Sequence, residues 1–330
     1  MTSGTERTGP LRFTMANVAG GRMLRPGEGD HRYAPEDRTE EFAAAMGSGD
    51  TDVLGIAELD CSPGSRQLTA LAEPVIGRTG VHLAEYRLAE SAVPGVAGQG
   101  VGLACRHPLA DVERIELPDP PFPLLHWRTG EELPWHTKGL LVARLEPPGD
   151  DRHLDVGIIH THPVHMARDA KGVEHSYERG PGREFGQATA EFVAARLAAR
   201  GADSIVLMGD MNNCSGFFRR IGDRELVDVF GARPPATTPD GRCIDRALVT
   251  GDLRVAGRPE VIRLAGADHF PVRFRLESPT GPTKDAEPMD FALKEAPPLG
   301  RGRPGAPNAA QEAARHPYAG PPDVGPRRAR

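Results

Sequence analysis

Residues 204–212 read Ser204-Ile205-Val206-Leu207-Met208-Gly209-Asp210-Met211-Asn212. A short apolar run bounded by a turn residue has the length and composition of a buried strand. This one stops on Gly209 and at once presents a carboxylate and an amide, Asp210 and Asn212. A strand that is apolar along its length and polar at its end delivers the last side chain to the sheet edge.

Other runs on both sides of it do the same. Upstream, residues 154–159 (L-D-V-G-I-I) lead into His160-Thr161-His162, and residues 140–145 (L-L-V-A-R-L) precede them. The Pro148-Gly149-Asp150 centre between the two is a hairpin turn signal. Residues 11–18 alternate well enough for a strand and carry Asn17 near their end, and residues 52–59 form a buried strand that carries Glu58. Residues 102–105 are short and apolar, closed by Arg106-His107-Pro108. Downstream, Asp245 opens the run 244–250, and Asp268-His269 precede the run 272–276. Helical periodicity appears at 184–200, with Phe185, Thr189, Phe192, Val193, Arg196 and Leu197 near one face and Gly201 as a stop. Residues 38–46 are a second helix candidate.

Many strands, few long helices and mixed connections predict an α/β fold of packed sheets with helices outside. A doubly wound nucleotide fold is disfavoured: no G-x-G-x-x-G opens a helix after the first strand, and no G-K-[ST] occurs. No internal repeat has a solenoid period.

Composition sets the boundaries. Hydrophobic residues make up 38% of the 330-residue chain. Residues 278–330 are rich in Pro, Gly and Ala, with Phe291 and Tyr318 as their only aromatics, and are expected to be a disordered tail. Residues 1–10 are expected to be flexible, leaving 11–277 as one catalytic domain. The formal net charge is −6, and the tail holds eight Lys/Arg against six Asp/Glu, so the body is the more acidic part. Non-specific nucleic-acid binders show basic surfaces, so this balance disfavours a nucleic-acid partner. Cys61, Cys105, Cys214 and Cys243 have no C-x-x-C spacing, which fits reduced thiols. The N-terminus lacks an apolar leader and no run has membrane-spanning length. The expectation is a cytoplasmic monomer.

Any one polar residue after a strand also fits a turn. Together, these carboxylates, amides and imidazoles would repel at a shared edge unless a cation neutralised them. Hard oxygen donors suit Mg2+ or Mn2+ over Zn2+, and no H-E-x-x-H is present.

These residues carry a family resemblance. Thr14-Met15-Ala16-Asn17-Val18-Ala19-Gly20 resembles the opening N-x-x-G strand of the endonuclease/exonuclease/phosphatase superfamily, the DNase I-like fold. Six more segments follow in that family's order: the strand ending Ala57-Glu58-Leu59-Asp60, Gly102 to Leu109, Ile159-His160-Thr161-His162-Pro163, Leu207-Met208-Gly209-Asp210-Met211-Asn212, Ile244-Asp245-Arg246, and Ala267-Asp268-His269-Phe270-Pro271-Val272. G-D-x-N together with D-H-x-P-V is a specific combination.

The resemblance implies a four-layer αββα sandwich of two mixed β-sheets flanked by helices. It implies Glu58 as the main Mg2+ ligand, with Asn17 and Asp268 helping. Asp210 and Asn212 would orient the attacking water, and His269 would transfer a proton or bind the phosphate, oriented by Asp245. His162 would contact the phosphate or assist the leaving group. His160, Arg106 and Arg183 are assigned to substrate binding. Departures from the pattern are Ala267, Arg246, His160, Pro163 and Cys105. The inserts at 108–138, with Trp127 and Trp135, and at 163–183, with His165, Arg168, Lys171, His175 and Arg179, are expected to shape the substrate mouth.

The function so read is metal-assisted hydrolysis of a phosphate ester by in-line water attack, on a small or lipid-like phosphorylated molecule. A DNA endonuclease or exonuclease of the same superfamily is the alternative within the fold. A catalytically silent scaffold is the alternative of another class, and it is expected to have lost Glu58, Asp210 or His269.

Overall fold

The computed structural model describes residues 9–25, 33–91, 93–125, 131–146, 153–168 and 172–277. The expected tail, residues 1–8, Trp127, Lys171 and the hairpin centre at 147–152 lie outside the described residues.

Two seven-stranded sheets form the centre. The first contains β1 (Leu11–Asn17), β2 (Val53–Asp60), β3 (His82–Ala89), β4 (Gln99–Cys105), β14 (Arg254–Val255), β15 (Glu260–Val261) and β16 (Val272–Glu277). Its order is β14-β16-β1-β2-β4-β3, with β15 also on β16. The second contains β5 (Leu109–Glu116), β8 (Gly139–Leu145), β9 (Leu154–His160), β10 (Ser204–Asp210), β11 (Arg220–Ile221), β12 (Arg224–Asp228) and β13 (Asp245–Thr250), in the order β11-β12-β13-β10-β9-β8-β5. A small ribbon pairs β6 (Leu124–Leu125) with β7 (Glu132–Leu133). Both large sheets are mixed: β1–β2 and β9–β10 run parallel, while β2–β4, β8–β9 and β10–β13 run antiparallel.

Three apolar cores separate four layers. Helices α1 (Thr39–Met46) and α2 (Gln67–Ile76) bury Phe42, Met46, Leu68, Leu71 and Val75 on the outer face of the first sheet, against Leu54 and Ile56. Phe13, Met15, Val156, Ile158, Val206 and Met208 fill the space between the sheets. Helix α3 (Gly180–Ala199) covers the outer face of the second sheet, against Ile205 and Leu207. No helix among the described residues is long and apolar enough to cross a membrane.

Two sequence expectations change here. Helix α3 begins at Gly180, four residues before the periodic stretch, with Pro181 in its first turn where a missing N–H costs nothing. Its buried stripe is Phe185, Thr189, Val193 and Leu197; Phe192 is 37% exposed and Arg196 pairs with Glu113 on the outside. Residues four apart stay on one face, whereas 192 and 196 sit one position back and turn outward. Helix α2 lacked an obvious signal because Pro74 interrupts its pattern, yet Pro74 falls in the last turn before left-handed Gly77.

The alternation of side chains along a strand fixes the functional edge. Phe13 and Met15 of β1, Ile158 of β9, Met208 of β10 and Ala247 of β13 all point into the layer between the sheets. Two residues further on, or back for β13, lie Asn17, His160, Asp210 and Asp245. Asp210 stands directly beside His160 on one neighbour and Asp245 on the other. Arg106 does not reach this edge. Its strand runs antiparallel to β2, pairing Cys105 with Val53, so Arg106 lies at the far end and binds Asp52 at 2.9 Å.

Gly209 enables the close approach of β9 and β10. It sits at φ 146°, and a Cβ there would strike the Ile159 backbone carbonyl. Gly209→Ala is expected to cost about 3 kcal/mol or more, because rigid backbone has to shift. Gly216→Ala, whose Cβ meets nothing within 4 Å, is the near-neutral control. Urea denaturation of both variants checks this; equal midpoints would contradict the packing account.

Candidate active site

The site forms where the inter-sheet layer runs out. Asn17 donates through Nδ2 to Asp210 Oδ2 at 3.2 Å, while its Oδ1 accepts from the Ala19 backbone. His160 Nε2 lies 3.6 Å from Glu58 Oε1 and 3.7 Å from Asp210 Oδ2. On the other side of Asp210, His269 Nε2 is 4.0 Å away, and His269 Nδ1 bonds Asp245 Oδ2 at 2.8 Å. The chain turns back after β10 through Asn212 and Asn213, both left-handed at φ 42° and 68°. Asparagine tolerates that conformation better than most residues. Asn212 then donates its backbone N–H to Asp210 Oδ1 at 3.0 Å and its side-chain amide to the Thr161 carbonyl at 2.9 Å. Tyr33 donates its hydroxyl to Asp268 Oδ2 at 2.5 Å.

Glu58 reaches the site through a backbone irregularity. Strict alternation would put it beside Leu54 and Ile56, facing the helices. Instead Glu58 takes φ 51°, and the pairing of β2 with β4 slips between Ala57 and Leu59. This bulge inserts one residue, keeps Leu59 in the helix-side core and turns the carboxylate toward His160. A non-glycine residue held left-handed is strained by roughly 1–2 kcal/mol, and such strain clusters at functional positions.

The insert at 108–138 supplies three neighbours that the strand-end pattern misses. Lys138, buried, places Nζ 2.9 Å from His160 Nε2. Asp119 accepts from His162 Nε2 at 3.2 Å. Trp135 packs edge-on against the His162 ring at 5.5 Å, and Phe185 does so from α3 at 5.7 Å. Lys138 is preceded by no apolar run, and Asp119 lies in a proline-rich loop; only their spatial return to His160 and His162 reveals them.

Charge is unevenly distributed in this pocket. Burial raises the Asp210 carboxyl, and Asp245 and Glu58 raise it further, against the pull of His269. Burial alone would lower His269, but Asp245, Asp268 and Asp210 hold it well above the ordinary histidine value, so it carries its proton near neutrality. His160 is driven well below that value by burial and then by Lys138. Burial lowers Lys138 too, while Glu58 and Asp210 oppose the fall.

The donor set fits a hard divalent cation. Ligand atoms of Glu58, His160 and Asp210 lie within 4.8 Å of one another, as do those of Asp210, Asp245 and His269. Asp245 Oδ1 and Asp268 Oδ1 are buried without a hydrogen-bond partner. Orphaned carboxylate oxygens beside a carboxylate shared by two clusters are what a cation would satisfy. Arg183 stands apart from this cluster, lining the adjoining cleft with Asn212.

Two mixed sheets with a carboxylate–imidazole site at one edge define a DNase I-like hydrolase of phosphoester bonds. The chain belongs to the Endonuclease/Exonuclease/phosphatase family, whose sequence profile matches residues 16–269. No curated protein matches it by sequence. Among solved structures, an endonuclease/exonuclease/phosphatase from Beutenbergia cavernae is 20% identical with a TM-score of 0.54, covering 81% of this chain and 71% of that one. The mannosyl-6-phosphatase of Bacteroides thetaiotaomicron is 15% identical with a TM-score of 0.53, covering 81% of this chain and 100% of that one. The human Nocturnin catalytic domain, with a bound sulfate, is 13% identical with a TM-score of 0.51, covering 82% and 94%. At these identities the likeness is one of fold.

His162 yields a pH prediction. Burial and then Lys138 push it down from 6.5 to about 3, and Asp119, 62% exposed on its side chain, is too well solvated to reverse this. The folded chain keeps His162 neutral, whereas the unfolded chain takes up a proton below 6.5. Its contribution to stability is therefore complete above 6.5 and is lost as the pH falls toward 3, with His160 adding the same sign. In His162→Phe, whose ring suits the Trp135–Phe185 surroundings, melting temperature should fall less steeply on acidification. Scanning calorimetry across that range checks this, and parallel slopes would contradict it.

Proposed function

We propose that the protein is a Mg2+-dependent phosphoesterase that hydrolyses a small or lipid-like phosphorylated molecule by in-line attack of water. The observation that carries this is the position of Asp210: one buried carboxylate shared between the Glu58–His160 group and the Asp245–His269 pair. Asp210 and Asn212, locked to each other, would orient the water at the phosphorus. Asp245 fixes the His269 ring through Nδ1, which leaves the Nε2 proton free to meet a phosphate oxygen or a departing alkoxide. Lys138 and His160 form the floor behind Glu58 and Asp210. His162, walled by Trp135 and Phe185, would face the leaving group from the opposite side.

Glu58, Asn17 and Asp268 would hold the Mg2+. When bound, the ion neutralises phosphate charge and stabilises the leaving oxygen. No covalent enzyme intermediate is needed. The four thiols are free, which supports a reducing, cytoplasmic setting.

Asp210→Asn and His269→Ala should each lower the rate on an aryl phosphate ester about a thousandfold or more, roughly 4 kcal/mol of barrier; Asp210→Asn should leave the melting curve near wild type, whereas His269→Ala, which strips Asp245 of its partner, should also lower it. Glu58→Gln should weaken the Mg2+ response more than it harms folding. A panel of phosphomonoesters, phosphodiesters and supercoiled plasmid, each with and without EDTA, reads these effects. A loss under about tenfold removes the residue from the mechanism. Plasmid nicking that outruns every small ester would transfer the assignment to a nuclease.

A further inference from the structure

Two groups of ligand atoms meet at Asp210, and one of them, Glu58, His160 and Asp210, offers an imidazole nitrogen beside two carboxylates. By its donors alone that group suits a transition metal such as Zn2+ or Co2+ better than Mg2+, which takes oxygen. Lys138 works against such an ion.

The backbone fixes Lys138 in place. It precedes β8 by one residue, and the next residue, Gly139, pairs with His160 across the β8–β9 ladder. Its carbonyl accepts from the Leu117 N–H at 2.9 Å. Its side chain is buried and ends with Nζ 2.9 Å from His160 Nε2 and 3.3 Å from His160 Nδ1. An atom lying along the lone pair of one ring nitrogen is far from the other. Nζ is close to both, so it stands over the ring face. Glu58 Oε1 and Asp210 Oδ2 face the same Nε2 at 3.6 and 3.7 Å. Among the described residues no carboxylate lies within ion-pair distance of Nζ, although its charge reaches Glu58 and Asp210 through space. Burying an ammonium without a contacting carboxylate is costly, so a structural ion pair does not account for Lys138.

The consequence for His160 is geometric. A metal ion on Nε2 sits about 2.1 Å from it, and so at most about 5 Å from Nζ. A divalent ion and an ammonium that close, away from bulk water, repel strongly. A cation held by oxygens on the far side of Glu58 and Asp210 avoids that conflict.

We propose that Lys138 is a metal-selectivity residue: its ammonium denies His160 to an incoming ion and keeps the acidic edge an oxygen-donor site for a hard cation. This rests on the cation site of the phosphoesterase reading and adds the choice of ion to it.

The test titrates Co2+ and, separately, Mg2+ into metal-free wild type, Lys138→Met and Lys138→Met/His160→Asn, read by calorimetry and, for Co2+, by visible absorption. Methionine keeps the length of the side chain and removes its charge. Lys138→Met should bind Co2+ about tenfold or more tighter than wild type, with a new visible band from nitrogen ligation. Loss of charge alone strengthens both ions alike, so the Co2+ gain should exceed the Mg2+ gain by about fivefold or more. The excess and the band should vanish in the double variant. No gain, an equal gain for both ions, or an excess that survives His160→Asn overturns the proposal. His160→Asn with Lys138 in place tests the same claim however Lys138→Met folds. Its Co2+ affinity should stay within about threefold of wild type, and a loss of about tenfold or more makes His160 a resident ligand and overturns the proposal. If wild type binds no Mg2+, the phosphoesterase reading fails, while His160-dependent Co2+ binding unmasked in Lys138→Met still supports the role of Lys138.

Discussion

Asp210 and Asp245 are buried, Asp268 nearly so, and Glu58 is half-buried, all at one edge where two sheets part. Removing carboxylates from water costs several kcal/mol each unless charge and hydrogen bonds compensate. Much of the surrounding structure serves that compensation. His269 carries its proton for Asp245, Lys138 brings an ammonium to Glu58 and Asp210, Asn17 and Asn212 donate N–H groups to Asp210, and Tyr33 covers Asp268. The compensation is incomplete: one oxygen each of Asp245 and Asp268 is left without a partner. A hard cation would complete it, and such a cation would also serve an anionic phosphate ester.

The scaffold holds this cluster because its two sheets are locked together by an inner core that extends to within two residues of the site. Ile158, Met208 and Ala247 immediately underlie His160, Asp210 and Asp245. Gly55 permits the tight contact, since a Cβ there would crowd Met208 Cε at 2.6 Å and Ile158 Cδ1 at 3.3 Å. Rigid elements thus position the polar side chains, while the inserts that carry Trp135, Asp119, Arg179 and Arg183 are free to differ between relatives.

The sequence legible at the strand ends gave most of the cluster, and the reasons for the exceptions are physical. Asn17, His160, Asp210 and Asp245 follow from apolar alternation carried two residues further, and His269 from its place before β16. Glu58 was legible as a carboxylate at a strand end, but strict alternation points it the wrong way, and the bulge that corrects it depends on pairing with β4. Arg106 shows the opposite failure. A residue at a strand end is visible in the sequence, but which sheet edge it reaches depends on strand direction, a tertiary property. Lys138 and Asp119 come from long-range return of an insert, for which no local pattern exists. Helix α2 was hidden by Pro74, whose position in the last turn makes it harmless.

Calorimetric titration of Mn2+ into the protein near neutral pH, in two buffers of different ionisation heat, most directly tests whether the acidic edge is a cation site. The account predicts saturable binding with proton release, because the raised Asp210 carboxyl gives up its proton as the ion arrives, and loss of that release in Asp210→Asn. No saturable binding, or binding whose heat does not depend on the buffer, would contradict it.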